Sequence, residues 1–230
     1  MALVQCIDLH KTYMAGKLHV EALRGIDLQI QEGEFTAIAG PSGSGKSTLL
    51  HVIGAVDAPT SGTVHVNGQD LTQLDAGRLS ALRRHQIGFI FQSYNLIPVL
   101  TAVENVEFIL MVQGVAARER RQRALDMLAK VGLQDLAHRR PIDMSGGQQQ
   151  RVAVARAMVS RPRLILADEP TANLDSKTGS NLMDLMWRLN QEEKMTFIFS
   201  SHDRMVIERS RRLLLLSDGM IVEDKLQNAG

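Results

Sequence analysis

Three short stretches of the chain carry residue types whose spacing can do chemistry. Gly40-Pro41-Ser42-Gly43-Ser44-Gly45-Lys46-Ser47 matches G-x-x-x-x-G-K-[ST] and lies between an apolar run and a helix-like stretch, the context this pattern requires. Its glycines let the backbone wrap phosphate groups, and uncovered N–H groups at a helix N-terminus attract anionic oxygens. Lys46 is placed to reach the β- and γ-phosphates, and the Ser47 hydroxyl to ligate Mg²⁺. Asp168-Glu169 follows the apolar run 164–167, at the carboxyl end of an expected strand, where α/β sheets bind ligands. Two adjacent bare acids repel. Mg²⁺ held near Asp168 relieves that repulsion and leaves Glu169 to orient and deprotonate an attacking water. Ser145-Gly146-Gly147-Gln148 is the third stretch: a serine suited to cap a helix, then two glycines that leave backbone N–H groups uncovered. It makes a second anion cradle. One nucleotide needs only one cradle, so each nucleotide is expected to be shared between two chains of a two-fold dimer. Taken singly, the three stretches also read as a chance turn, a solvated acidic turn and an ordinary capped helix.

Such residues need a scaffold to hold them. Alternation at Ile26, Leu28 and Ile30, the turn pair Glu32-Gly33 and the run 35–39 predict antiparallel strands feeding a buried strand that ends at Gly40. A helix from Lys46, a strand over 63–66 with an Asn67-Gly68 turn, a basic helical stretch near Leu79 and a strand over 87–91 follow. From 96 to 160 the pattern turns helical, with Val103, Val106 and Leu110 on one face and Leu125, Leu128 and Val131 on another. Apolar strands return at 164–167, 196–199 and 212–217, separated by helical segments over 176–193 and 204–209. The expectation is one α/β domain over 1–230 with a mostly parallel sheet and an antiparallel β region. Its core is drawn from 1–95 and 161–230, with a helical subdomain inserted over 96–160.

Composition narrows the field. With 44% hydrophobic and 22% charged residues the chain can bury a sizeable core, so disorder is not expected. A formal net charge of +1 supplies no strong field for nucleic acid, and the arginine-rich stretch 118–123 reads as a solvated helix face, so no nucleic-acid partner is expected. Cys6 is the single cysteine, which excludes an intrachain disulfide, and it is expected to be a half-buried strand residue. The first ten residues alternate like a strand and lack the pattern of a signal peptide. The longest apolar runs, 108–112 and 213–216, fall far short of the about 20 residues that span a bilayer.

Taken together, Ser145 to Gln148 between that phosphate loop and Asp168-Glu169 resembles the signature of the ABC ATPases, over nearly the whole chain. The resemblance implies a P-loop NTPase core, ATP and Mg²⁺ as cofactors, a homodimer of ATPase subunits, and separate transmembrane permease subunits as partners. It implies a location on the cytoplasmic face of the inner membrane. It also implies Tyr13 as the aromatic stacked on adenine, Thr48 within the nucleotide set, and Gln92 as the glutamine that joins Mg²⁺ to the membrane partner. Asp175 resembles the loop residue that crosses the dimer interface, and His202 the switch histidine on the γ-phosphate. The alternatives are a strand aromatic, a surface amide, a helix cap and a structural histidine. Catalysis is thus expected from Lys46, Gln92, Glu169 and His202, and metal ligation from Ser47, Gln92 and Asp168. Near Gln92, the residues Tyr94, Leu96, Ile97 and Leu100 either pack internally or meet the partner. Within the family, Ile87 to Gln92, Leu100 to Val106 and Leu166 to Asp175 are most similar to the ATPases of macrolide or peptide efflux and lipoprotein release. Departures are Met144 for leucine, Ala172 for glycine, Ser201 for threonine, and a missing proline after Asn105-Val106. A regulatory ATPase acting on a membrane partner without transport stays open as an alternative. So does a soluble ABC ATPase of DNA repair or translation, although the long coiled coils or second ATPase domain of that class are missing here.

Overall fold

The computed structural model describes residues 2–16 and 18–227. In chain order the elements are β1 (Val4–Ala15), β2 (Leu18–Ile30), β3 (Phe35–Ala39), α1 (Lys46–Ile53), β4 (Ser61–Val66), β5 (Gln69–Asp70), α2 (Ala76–Gln86), β6 (Ile87–Ile90), α3 (Ala102–Val112), α4 (Ala117–Lys130), α5 (Gly146–Met158), β7 (Leu164–Asp168), α6 (Ser176–Glu193), β8 (Thr196–Ser200), α7 (Arg204–Arg209), β9 (Arg212–Ser217) and β10 (Met220–Leu226). They fall into two units, 1–83 with 196–230, and 84–195.

In the first unit β3 is buried at all five positions and pairs in parallel with β8 on one side and β9 on the other. A strand covered on both faces reads as a continuous apolar run, which is why 35–39 is legible in the sequence. Phe35 packs against Phe197 and Phe199 at ring-centroid distances of 5.5 and 4.5 Å. Burying such aromatics stabilises a core by roughly 1.5–3 kcal/mol each. β10 adds antiparallel to β9. It is mostly exposed, so it lacks the alternation that would have announced it.

A second sheet of this unit runs β2-β1-β4-β5, all antiparallel. The hairpin β4–β5 turns on Asn67 and Gly68, with φ of 51° and 76°, the two positive values that the Asn-Gly pair tolerates. As an inner strand, β1 buries Cys6 almost completely at 2% exposure, which corrects the half-buried expectation. Burial pushes its thiol up to about 12, so it is inert as a nucleophile.

In the second unit β6 and β7 pair in parallel, and α5 lies close against β6. Gly88 permits that approach: a Cβ there would sit 2.4 Å from the Ala157 carbonyl oxygen. Helices α3, α4 and α5 pack on one another through Val103, Val106, Leu110, Leu128 and Val152, all fully buried. Among the described residues no helix is long and apolar enough to cross a membrane.

Candidate nucleotide site

The chain leaves β3 at Gly40, with φ 150°, and enters α1 through Gly45, with φ 103°. Both glycines are sterically required. A Cβ on Gly40 would meet the Leu216 carbonyl oxygen at 2.1 Å, and one on Gly45 would meet the Ala22 carbonyl oxygen at 2.4 Å. Pro41, Ser42 and Gly43 form the exposed rim between them. Lys46, the first residue of α1, is only 8% exposed and donates from Nζ to the carbonyl oxygens of Gly40 and Pro41 at 2.8 and 3.0 Å. These acceptors are neutral, so the cation lacks a counter-charge within its own loop. Beside it the Ser44 Oγ is buried without a hydrogen-bond partner. A buried orphan hydroxyl costs about 1–3 kcal/mol, and an anion in the loop would satisfy it while neutralising Lys46. Ser47 and Thr48 continue the first turn of α1, Ser47 exposed and Thr48 half-buried.

Tyr13 lies on β1 in the same unit, 38% exposed. Its hydroxyl donates to Asp57 Oδ2 at 2.8 Å, and the Lys11 Nζ sits 4.8 Å from the ring centroid. Burial and the Asp57 contact push the phenol up, against a Thr48 hydrogen bond that lowers it. His202 follows β8 and is exposed; Ser201 before it donates its N–H to the Ile38 carbonyl, and Asp203 after it caps α7.

The remaining expected residues belong to the second unit. Asp168 ends β7, and Glu169 follows with φ 47°, a left-handed conformation that costs a non-glycine residue about 1–2 kcal/mol. Gln92 is exposed, and its carbonyl accepts from Asn173 Nδ2 at 2.9 Å. Tyr94 and Asn95 beyond it are both left-handed, with φ of 58° and 50°. Arg156 on α5 holds their two carbonyl oxygens with one guanidinium fork, and burial lowers its pKa. Ser145 caps α5 through a closed box: Gln148 N–H donates to Ser145 Oγ at 3.3 Å, and Ser145 N–H to Gln148 Oε1 at 2.9 Å. The glycines after it serve packing too. A Cβ on Gly146 would lie 2.9 Å from Tyr94 Oη, and one on Gly147 2.5 Å from Thr178 Cγ2. Asp175 caps α6, accepting from the N–H groups of Lys177 and Thr178 at 3.1 and 3.0 Å. The Thr178 hydroxyl and these N–H groups hold its carboxyl below the usual range.

The model of the ABC transporter family matches residues 23–172. The chain belongs to the ABC transporter family. An uncharacterised ABC transporter ATP-binding protein of Thermotoga maritima is 47% identical over 218 residues, 95% of this chain and 93% of that one. MJ0796 of Methanocaldococcus jannaschii, an ABC transporter ATP-binding protein, is 45% identical over 98% of both chains. The dimeric structure of MJ0796 in a post-hydrolysis state, bound to ADP and Pi, superposes with a TM-score of 0.90 over 98% of this chain and 99% of that chain. The macrolide export ATP-binding/permease protein MacB of Brucella melitensis is 48% identical over 96% of this chain, which spans 34% of MacB. The α/β core, antiparallel sheet and helices are therefore those of an ABC ATPase cassette, and the cassette is an ATP-binding ATPase.

Several contacts of the cassette are invisible to motif reading. Lys11 and Asp57 meet across 46 positions, and Arg156 reaches back 62 positions to Tyr94. Asn173 was legible only as a member of the stretch 172–175. Gln150 on α5, fully buried, donates to the Pro170 carbonyl at 2.7 Å and ties the signature helix to the turn after Glu169.

Proposed function

We propose that two copies of the cassette close on two ATP molecules with Mg²⁺, hydrolyse them, and drive a separate membrane permease in efflux or in release of lipoprotein or lipid. The observation that carries the ATP site is the phosphate loop itself: a buried lysine without a counter-charge in its loop beside a buried orphan serine hydroxyl, both completed by a phosphate anion. Ser47, Gln92 and Asp168 offer hydroxyl, amide and carboxylate oxygens, a hard donor set that suits Mg²⁺. When bound, Mg²⁺ neutralises charge on the phosphates.

The chain's own residues take the other roles. Lys46 and the loop N–H groups hold the phosphates, Tyr13 carries the base, and His202 contacts the γ-phosphate. Glu169 orients water and takes its proton; its strained backbone fits a side chain whose aim is fixed by the turn. Within the signature segment of the second copy, Ser145 to Gln148, the N–H groups of Gly146 and Gly147, which the capping box does not use, donate to the γ-phosphate, and Asp175 sits where the copies meet. The dimer reading is supported by the dimeric MJ0796 structures, and the permease reading by MacB, whose name joins an ATP-binding part to a permease. With its membrane partner the cassette would lie peripherally on the cytoplasmic face of the inner membrane.

Coupling needs an exposed surface. Ile97 is half-buried and exchanges two hydrogen bonds with the fully buried Asn105 side chain, while Val99 beside it is 71% exposed. Phe108, Met111 and Val112 leave part of α3 apolar and open. The test is co-purification of the membrane subunit with the Val99→Glu variant, read beside its soluble ATP hydrolysis. Lost association with intact hydrolysis supports coupling through this surface; unchanged association and transport would overturn it.

A further inference from the structure

We propose that Lys11 and Asp57 form a clamp that turns the Tyr13 ring into a one-sided platform for the adenine base. The inference rests on reading Tyr13 as the base-stacking aromatic. Lys11 and Tyr13 are two residues apart on β1 and so project from the same face. The Lys11 ammonium lies 4.8 Å from the ring centroid, within cation–π range, and therefore covers one face of the ring. It does not wander, because it donates to Asp57 Oδ1 and to the Ala58 carbonyl, both at 2.7 Å, and its side chain is only 12% exposed. The second oxygen of the same carboxylate, Oδ2, accepts the Tyr13 hydroxyl at 2.8 Å. One carboxylate thus bridges the cation above the ring and the phenol at its tip. With the hydroxyl pinned and one face covered, a flat ligand has the other face.

The clamp is also tied to the phosphate end of the site. Asp57 follows α1, and the N–H groups of Val56 and Asp57 both return to the His51 carbonyl at 2.9 and 3.2 Å. The same turn grips β1: Thr60 N–H donates to the His10 carbonyl at 2.8 Å, and Thr12 N–H to Thr60 Oγ1 at 2.9 Å. Lys46 opens α1 and Asp57 hangs beyond its other end, so one helix of eight residues, about 12 Å long, spaces the phosphate cradle from the base platform. Burial pushes the Asp57 carboxyl up, but the hydrogen bonds from Lys11 and Tyr13 hold it below the ordinary range, so the bridge is anionic at neutral pH.

The experiment uses the whole chain with ATP and with inorganic tripolyphosphate, which has phosphates and no base. Asp57→Asn and Lys11→Met should each raise the KM for ATP roughly threefold to tenfold, a part of what full loss of base stacking costs. Tripolyphosphate binding and kcat should hold, and Lys11→Arg, which keeps a cation over the ring, should restore most of the KM. The chain has two tyrosines, so in a Tyr94→Phe background the ultraviolet titration reports Tyr13 alone, and Asp57→Asn should move it down toward a free phenol. If Tyr13→Ala leaves the KM for ATP unchanged, the base-stacking reading itself is wrong. If Tyr13→Ala raises it but the Lys11 and Asp57 variants do not, or if they weaken ATP and tripolyphosphate equally, the clamp is overturned.

Discussion

Replacing Glu169 should separate stability from turnover. Its φ of 47° places a non-glycine residue in the left-handed region at the end of β7, a cost of about 1–2 kcal/mol that glycine avoids. Against this, glycine loses about 0.5–1 kcal/mol more conformational freedom on folding. By these backbone terms alone, Glu169→Gly should therefore leave the nucleotide-free chain between unchanged and about 1.5 kcal/mol more stable, a rise in Tm of at most about 6 °C for a domain of this size. Glu169→Gln keeps shape and strain and should match the wild type within about 0.5 kcal/mol. Both should lose turnover, Glu169→Gln by at least about a hundredfold, or about 2.7 kcal/mol of barrier, with nucleotide binding retained and the ATP-bound dimer trapped. The assay is thermal and urea unfolding without nucleotide, set beside Mg-ATP turnover and sedimentation with ATP. Near wild-type hydrolysis by Glu169→Gln would refute its role as base. Destabilisation of Glu169→Gly by more than about 1 kcal/mol would show that the side chain holds its own turn.

Gly147→Ala should cost about 1–3 kcal/mol in stability by driving a Cβ to 2.5 Å from Thr178 Cγ2, and Thr178→Ser, which removes that methyl, should recover most of it in urea unfolding. Failure of the rescue would mean that backbone conformation, not the methyl, requires glycine. Acid should also weaken the fold through Arg212, which bridges Glu34 Oε2 at 3.0 Å and Asp224 Oδ2 at 2.7 Å. The Arg212 hydrogen bond holds the Asp224 carboxyl below its usual range, so its contribution is present above the unfolded value of about 3.9 and lost as pH falls through the lower folded value. Asp224 is partly exposed, so screening leaves on the order of 1 kcal/mol at most; Arg212→Gln should be less stable than wild type at pH 7, and the gap should narrow as acid takes the pH below the unfolded carboxyl value.

What the sequence displayed was whatever depends on local spacing. The phosphate loop, the acids after 164–167, the Asn67-Gly68 hairpin and the helices over 176–193 and 204–209 are short-range patterns, and each has its element in the structure. Serine 145 was legible as a helix cap. Gln148 closes the box behind it, and the signal for that is a polar residue three positions after the cap. Strand β10 escaped because an exposed edge strand needs no apolar alternation. The left-handed backbone at Tyr94, Asn95 and Glu169 could not be seen, since none is glycine and the conformation is imposed by tertiary contacts such as the Arg156 fork. The Lys11–Asp57 bridge was equally hidden, because pairing across 46 positions leaves no periodic trace.

The most direct test of the shared-site account is complementation in mixed dimers. A Lys46→Ala chain and a Ser145→Arg chain should each be nearly inactive alone, since every site of either homodimer lacks its phosphate lysine or its signature. Mixed, they pair one intact phosphate loop with one intact signature, so one of two sites survives. ATP hydrolysis should rise well above both parents, approaching about half the wild-type rate per mixed dimer if the two sites turn over independently. No recovery on mixing, or wild-type hydrolysis by a strictly monomeric sample, would contradict it.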